Sequence, residues 1–330
     1  VTQDRRAAQS DIPAQHWANA ATRDAIRHFA WGIGDNNPLW TDEAYAAKSL
    51  WGERIAPPCL LYAAHETTVA PGMPDHRRIY RTVDWTFYDV IREGDALASS
   101  AFLLEERPLG KNTLQKGRVE FRTAAAQIIA IAEAECLRST EPAVAINDRP
   151  ELRYTGDELE ATEQTILSEQ RRGDTPRFWE KTHVGDTLAP LVKGPLSIMD
   201  VVAWCAATTG APEDEVSRSE GGLHTQTATG PELVSWFGHL ITDWMGDDAF
   251  LHKLVVQVDA LPTLGTTTTI TGHVDGIDLI EDRPSANLAM RAFDQGGSAV
   301  AAGSAQIILP SSAHGPVALP IPFRNKAASR

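Results

Sequence analysis

The densest run of groups able to do chemistry reads Gly34-Asp35-Asn36-Asn37-Pro38-Leu39-Trp40-Thr41-Asp42. A carboxylate set among amides on a loop has two uses. It can exchange a proton with a bound molecule, or it can close an Asx turn by accepting backbone N–H groups. Asp35 taken alone leaves both open, and Asn37 shares its position. Histidines offer the complementary proton acceptor. His224, in Gly221-Gly222-Leu223-His224, stands on a loop as either a base or a surface residue. His65 and His239 fall inside apolar segments and read as hydrogen-bonded core histidines. Trp31, Trp40 and Trp51 gather near the first loop, where they would line an apolar channel or plug it. With Tyr62 behind them, Trp31 and Trp40 are the candidate substrate-binding side chains.

These groups need elements to hold them. Residues 21–31 carry Ile26, Phe29 and Ala30 on one helical face. Gly34 ends that helix at no steric cost, and Pro38 stops it resuming. Pro57 and Pro58 suit a helical first turn. Cys59, Leu60, Leu61, Ala63 and Ala64 then make the next helix, 58–67, apolar on nearly every side, as in a buried helix. Residues 78–88, 96–107, 116–122 and 128–138 read as an antiparallel meander. A linker at 139–147 leads to a solvent-facing helix at 154–172, opened by a Thr155/Glu158 capping box.

The second half repeats this order. Ser197 caps a helix at 198–208, and Gly230-Pro231 opens an apolar helix at 232–244. Four strands follow at 254–261, 266–274, 286–293 and 299–309. This internal duplication predicts an α+β fold of two units, each a helix wrapped by an antiparallel sheet, with the sheets paired edge to edge. The expected organisation is a first unit at 1–140, a linker with helix at 141–176, a second unit at 177–310 and a tail at 311–330.

The 330 residues allow two ordinary domains. A formal net charge of −14 argues against nucleic acid or an anionic membrane as partner. Cys59, Cys136 and Cys205 are unevenly spaced and form neither a disulfide framework nor a zinc pattern, which fits a reducing cytoplasm. Residues 1–20 are polar and charged, without the pattern of a signal peptide. No metal and no cofactor is expected.

Gly34-Asp35-x-Asn37-Pro38 ahead of an apolar helix resembles the MaoC-like hydratase/dehydratase family of hotdog folds. That family's motif runs Gly-Asp-x-Asn-Pro-x-His-x-Asp, with a His-Gly pair before the central helix. Here Gly34, Asp35, Asn37, Pro38 and Asp42 match. Trp40 stands where the catalytic histidine belongs, and Pro57-Pro58 where His-Gly belongs. Trp51-Gly52, Ala56-Pro57-Pro58, Lys193-Gly194-Pro195-Leu196 and the run from His239 to Asp248 are similar to the two-hotdog members, so the resemblance spans nearly the whole chain.

The resemblance implies a double hotdog and a hydro-lyase acting on an acyl thioester of CoA or of a carrier protein. The reaction would be hydration or dehydration, or a related proton transfer or cyclisation in secondary metabolism. Such chemistry needs a base, an acid, and a donor for the thioester oxygen. The first half keeps Asp35 and Asn37 but lacks the histidine, and Pro58 has no N–H to give. Gly230 keeps the helix-start N–H. The expected site therefore combines Asp35, Asn37 and His224 as catalytic residues with the carbonyl at Gly230. Two alternatives stand beside it. One is a degenerate acyl-binding subunit served by a single-hotdog partner, or a homodimer. The other is a hotdog thioesterase using Glu66 or Glu232.

Overall fold

The computed structural model describes residues 18–140, 154–208 and 227–323. Helix α1 (Arg23–Gly32) starts where the Thr22 side chain accepts the Ala25 N–H, and it buries Ile26, Phe29 and Ala30. Two short helices follow, α2 (Pro38–Thr41) and α3 (Glu43–Ala46). Strands β1 (Arg77–Phe87), β2 (Ala98–Leu109), β3 (Asn112–Arg122) and β4 (Ile128–Ser139) complete the first half. Helix α4 (Gly156–Leu167) buries none of its residues and carries the expected Thr155/Glu158 capping box. The second half runs β5 (Leu191–Lys193), α5 (Ile198–Ala207), α6 (Gly230–Met245), β6 (Phe250–Val258), β7 (Thr268–Ile280), β8 (Arg283–Asp294) and β9 (Ala299–Ile308).

Among the described residues nine strands form one sheet in the order β2-β3-β4-β1-β6-β9-β8-β7-β5. The pairings are antiparallel, and the two halves join where β1 meets β6, from Thr82 opposite Gln257 to Thr86 opposite Lys253. Within each half the first long strand lies innermost and the second lies farther out, so the halves mirror each other about this seam. The helices repeat the relation. Gly32 of α1 sits so close to α5 that a Cβ there would lie 3.2 Å from the Ala207 Cβ. Phe29 and Trp204 pack with ring centroids 5.7 Å apart. The α+β double hotdog expected from the sequence is the fold observed.

The two central segments differ sharply. Helix α6 is buried along its whole length. Its Thr229 side chain accepts the Glu232 N–H, closing a capping box, and Pro231 stands in the first turn, where no N–H is missed. The first half departs from expectation. The helix predicted for 58–67 is a short 3₁₀ helix, Pro58–Ala63. Beyond its end the Thr67 N–H turns back to His65 Nδ1 at 2.9 Å. Thr67 takes a positive φ of 76°, and its hydroxyl bonds the Tyr80 hydroxyl at 2.8 Å. The segment is still buried, but one long helix serves a core shared by both halves.

Candidate active site between the halves

The Asp35 loop is held by its own sequence. Gly34 has φ +67°, and the Asp35 N–H reaches back to the Ala30 carbonyl at 2.7 Å, closing α1. Asp35 Oδ1 accepts the Asn37 N–H at 2.9 Å, and Oδ2 accepts the Trp40 indole N–H at 2.8 Å. Asn37 Oδ1 caps α2 through the Leu39 N–H at 2.9 Å. Asp35 is therefore an Asx-turn carboxylate, and Trp40 donates a hydrogen bond from the position of the motif histidine. Both Asp35 and Asn37 are 1% exposed.

What faces this carboxylate comes from the other half. His239 and Asp243 lie one turn apart on α6. His239 Nε2 is 3.7 Å from Asp35 Oδ1, 3.4 Å from Asp243 Oδ2 and 3.2 Å from Glu169 Oε1. None of these meets the geometry of a hydrogen bond. The other ring nitrogen, Nδ1, lies 2.8 Å from Lys193 Nζ at the end of β5, and the same amine donates to the Gly34 carbonyl at 3.2 Å. Glu169 sits on the segment after α4. That segment is tied across α6 by the Arg172 N–H on the Asp243 carbonyl (2.9 Å) and by Arg171 Nη1 on Asn36 Oδ1 (2.7 Å).

The electrostatics follow from crowding. Burial raises the Asp243 carboxyl to about 7; His239 opposes the rise, and the neighbouring Glu169 and Asp35 add to it. Burial also pushes the Glu169 carboxyl up, but contact with His239 and the charges of Lys193 and Arg171 outweigh it, and the net shift is downward. Burial lowers the Lys193 ammonium against the pull of Glu169, Asp35 and Asp243.

Beside this cluster a small cavity of about 30 Å³ lies between Trp40, Trp51, Ile55, Pro58, Thr242 and Met245. Trp51 closes one side by donating its indole N–H to the Asp247 carbonyl at 2.8 Å. Asp247, which also lines the cavity, accepts the Tyr45 hydroxyl on Oδ2 at 2.6 Å.

The structure brings together some of the sequence candidates and separates others. Asp35, Asn37 and Trp40 share one loop beside α6. His224 lies outside the described residues. Gly230 opens α6 as expected, yet it is nine residues from His239, about 13 Å along a helix. The Tyr80 side chain covers it so closely that a Cβ would sit 2.4 Å from the Tyr80 Cβ. Trp31 is 57% exposed beneath the Arg27 guanidinium, away from the cavity. Tyr62 is in the core, its hydroxyl bonded to Tyr80 and to the Trp85 indole, each at 3.0 Å. Glu66 is engaged by Arg78 and by the Thr68 hydroxyl, and Glu232 belongs to the α6 capping box. His239, Asp243, Glu169 and Lys193 escaped the sequence reading. The available signal was a histidine and an aspartate spaced i, i+4 in an otherwise apolar, fully buried helix, where an ionisable group needs a partner.

The comparisons agree with this frame. Residues 12–107 match the family model described as the FAS1-like dehydratase domain region. A UPF0336 protein of Parafrankia sp. (strain EAN1pec) is 28% identical over 132 residues, 38% of this chain and 84% of that protein. Among solved structures, a MaoC-like dehydratase superposes with a TM-score of 0.69 at 15% identity, covering 88% of this chain and 95% of the other. The family match covers the first hotdog unit, and the structural likeness shows the fold of the whole chain. Two further structures share the fold. A Mycobacterium tuberculosis protein with a double hotdog fold gives a TM-score of 0.59 at 11% identity, covering 88% and 92% of the two chains. A MaoC-like dehydratase from Phytophthora capsici gives 0.54 at 12%, covering 92% and 99%. Among the described residues, no helix is long and apolar enough to cross a membrane.

Proposed function

We propose that this chain is a hydro-lyase that interconverts a 3-hydroxyacyl thioester and the corresponding 2-enoyl thioester, with Asp35 and His239 as its proton-transfer pair. One observation carries the reading. A buried carboxylate from the dehydratase-like loop of one half and a buried imidazole from the central helix of the other lie 3.7 Å apart. His239 thus fills from across the seam the role that Trp40 leaves empty.

In the dehydration direction the Asp35 carboxylate takes the α-proton and the bond from the β-carbon to its hydroxyl breaks. His239 gives its Nε2 proton to the departing oxygen, which leaves as water. The imidazole is made whole at Nδ1 by a proton from Lys193, whose amine is already 2.8 Å away. Asp35 then passes its proton to Nε2 and Nδ1 returns its own to Lys193, which resets both groups, and hydration is the reverse. The Trp40 indole and the Asn37 N–H keep the Asp35 carboxylate in one orientation. The thioester oxygen needs a donor near this pair, and the cations at its rim, Lys193 and Arg171, are closer in the fold than Gly230.

The thioesterase reading loses support, since Glu66 and Glu232 are both engaged. Crotonyl-CoA and a longer 2-enoyl-CoA, followed by loss of the enoyl-thioester absorbance, test the proposal. The parent hydrates at least one of them; Asp35→Asn and His239→Gln each lower kcat about 100-fold or more, with Tm close to the parent's. Full activity in both variants refutes the assignment. Activity appearing only when a single-hotdog protein is added supports the acyl-binding-subunit alternative instead.

A further inference from the structure

We infer that the space between His239, Glu169 and Asp243 is a binding site for one divalent cation of the zinc class, and that its occupation switches the proposed reaction off. This rests on the proton-transfer reading only for the second clause. The first rests on geometry. One imidazole nitrogen and two carboxylates from separate chain segments each offer a ligand atom, all within 4.8 Å of one another. His239 Nε2 stands 3.2 Å from Glu169 Oε1 and 3.4 Å from Asp243 Oδ2. Ligands bound tetrahedrally at 2.0–2.2 Å lie about 3.3–3.6 Å apart, so little rearrangement is needed to admit an ion.

One atom faces this space without a hydrogen-bond partner: His239 Nε2, on a side chain with 0% exposure. An unpartnered buried polar atom is costly, and a cation would satisfy it. Lys193 Nζ lies 2.8 Å from Nδ1 and fixes the ring orientation. An ion takes Nε2 in place of its proton, which is released, while Nδ1 takes a proton from Lys193 and then donates to the neutral amine. Nitrogen with carboxylate oxygen suits zinc better than calcium or magnesium, which favour all-oxygen sites. Three protein ligands leave a fourth position to water.

Regulation follows from shared atoms. An ion on Nε2 occupies the nitrogen that must carry the transferable proton. It would also fasten Glu169, and with it the segment between the halves, onto α6.

Isothermal titration of the chelator-stripped chain with ZnCl2, and native mass spectrometry of the product, test binding with no reference to activity. The expected result is one ion per chain, with affinity weakened at least 10-fold in Glu169→Gln and in Asp243→Asn. No binding, or equal binding in the parent and both variants, overturns the site. An enoyl-CoA hydration assay over the same zinc range reads the second clause. Inhibition at the binding midpoint supports it, and full activity in the zinc-saturated chain overturns it. If the chain hydrates no thioester, the proposed reaction fails while the titration still decides the cation site.

Discussion

Replacing Asp243 by asparagine should stabilise this protein at alkaline pH. Its carboxyl is 5% exposed, and burial next to Glu169 and Asp35 raises it from 3.8 to about 7. The sign follows from linkage. The folded state binds this proton more tightly than the unfolded state does. The contribution to stability is therefore fully present below the unfolded value near 4 and is lost as pH rises through 7. A rise of about 3 units corresponds to about 4 kcal/mol, the upper order of the effect, because Glu169 and the Arg172 segment can relax. Asparagine keeps the shape and cannot ionise. At pH 8 the variant should exceed the parent by about 1–4 kcal/mol, several degrees in Tm, and at pH 4 the difference should vanish. The measurement is urea unfolding of both proteins from pH 4 to 8 in EDTA, which keeps cations off the carboxylate. Comparing the two proteins cancels groups of opposite sign, such as Glu169. A variant less stable than the parent at pH 8, or a difference that does not change with pH, refutes the reasoning.

Other outcomes follow from single contacts. Gly230→Ala places a Cβ 2.4 Å from the Tyr80 side chain, so Tm should fall by an amount equivalent to about 1–3 kcal/mol; an unchanged Tm would mean that Tyr80 does not cover this helix start. Trp40→Phe keeps the ring and removes the indole N–H that holds Asp35 Oδ2 at 2.8 Å. Hydrogen bonds to a charged acceptor contribute about 1.5–3 kcal/mol, so kcat of the proposed reaction should drop about 10-fold or more, and wild-type kcat would show that the contact does not orient the carboxylate. The Cys59 thiol is buried and pushed up to about 12, so iodoacetamide at pH 8 should leave it unmodified in the folded chain and label it after denaturation, as peptide mapping would show.

Local chemistry made much of this fold readable. The Thr155 capping box, the Ser197 cap, the Gly230-Pro231 helix start, the Gly34 stop and the alternating strands each depend on neighbours within a few residues. Their positions in the structure differ from expectation mainly at element ends. The strand order was readable only through the duplication. The 58–67 helix failed for a physical reason: an apolar run between prolines shows burial, but not which backbone hydrogen bonds can form. The backward turn at Thr67, with φ 76°, stops the chain short, and a six-residue 3₁₀ helix precedes it.

The site was harder to read because its members come from four segments far apart in sequence: the Asp35 loop, the Glu169 strap, the end of β5 and the middle of α6. Periodicity cannot separate the faces of a helix that is buried all round, so His239 looked like one more core residue. Its neighbour at i+4 carried the information. Asp243 gives the same helical face a second ionisable group, and two such groups on a buried face need something between or opposite them. The asymmetry of the duplication supplies it. The first half keeps the acidic loop and has lost its long helix; the second keeps the helix, and its own Asp-x-Asn-Pro-x-His motif is absent. Neither half alone holds both members of the pair. The β1–β6 seam that aligns the halves therefore sets the distance between Asp35 and His239, and a change that shifts this register would disturb the site without touching any of its residues.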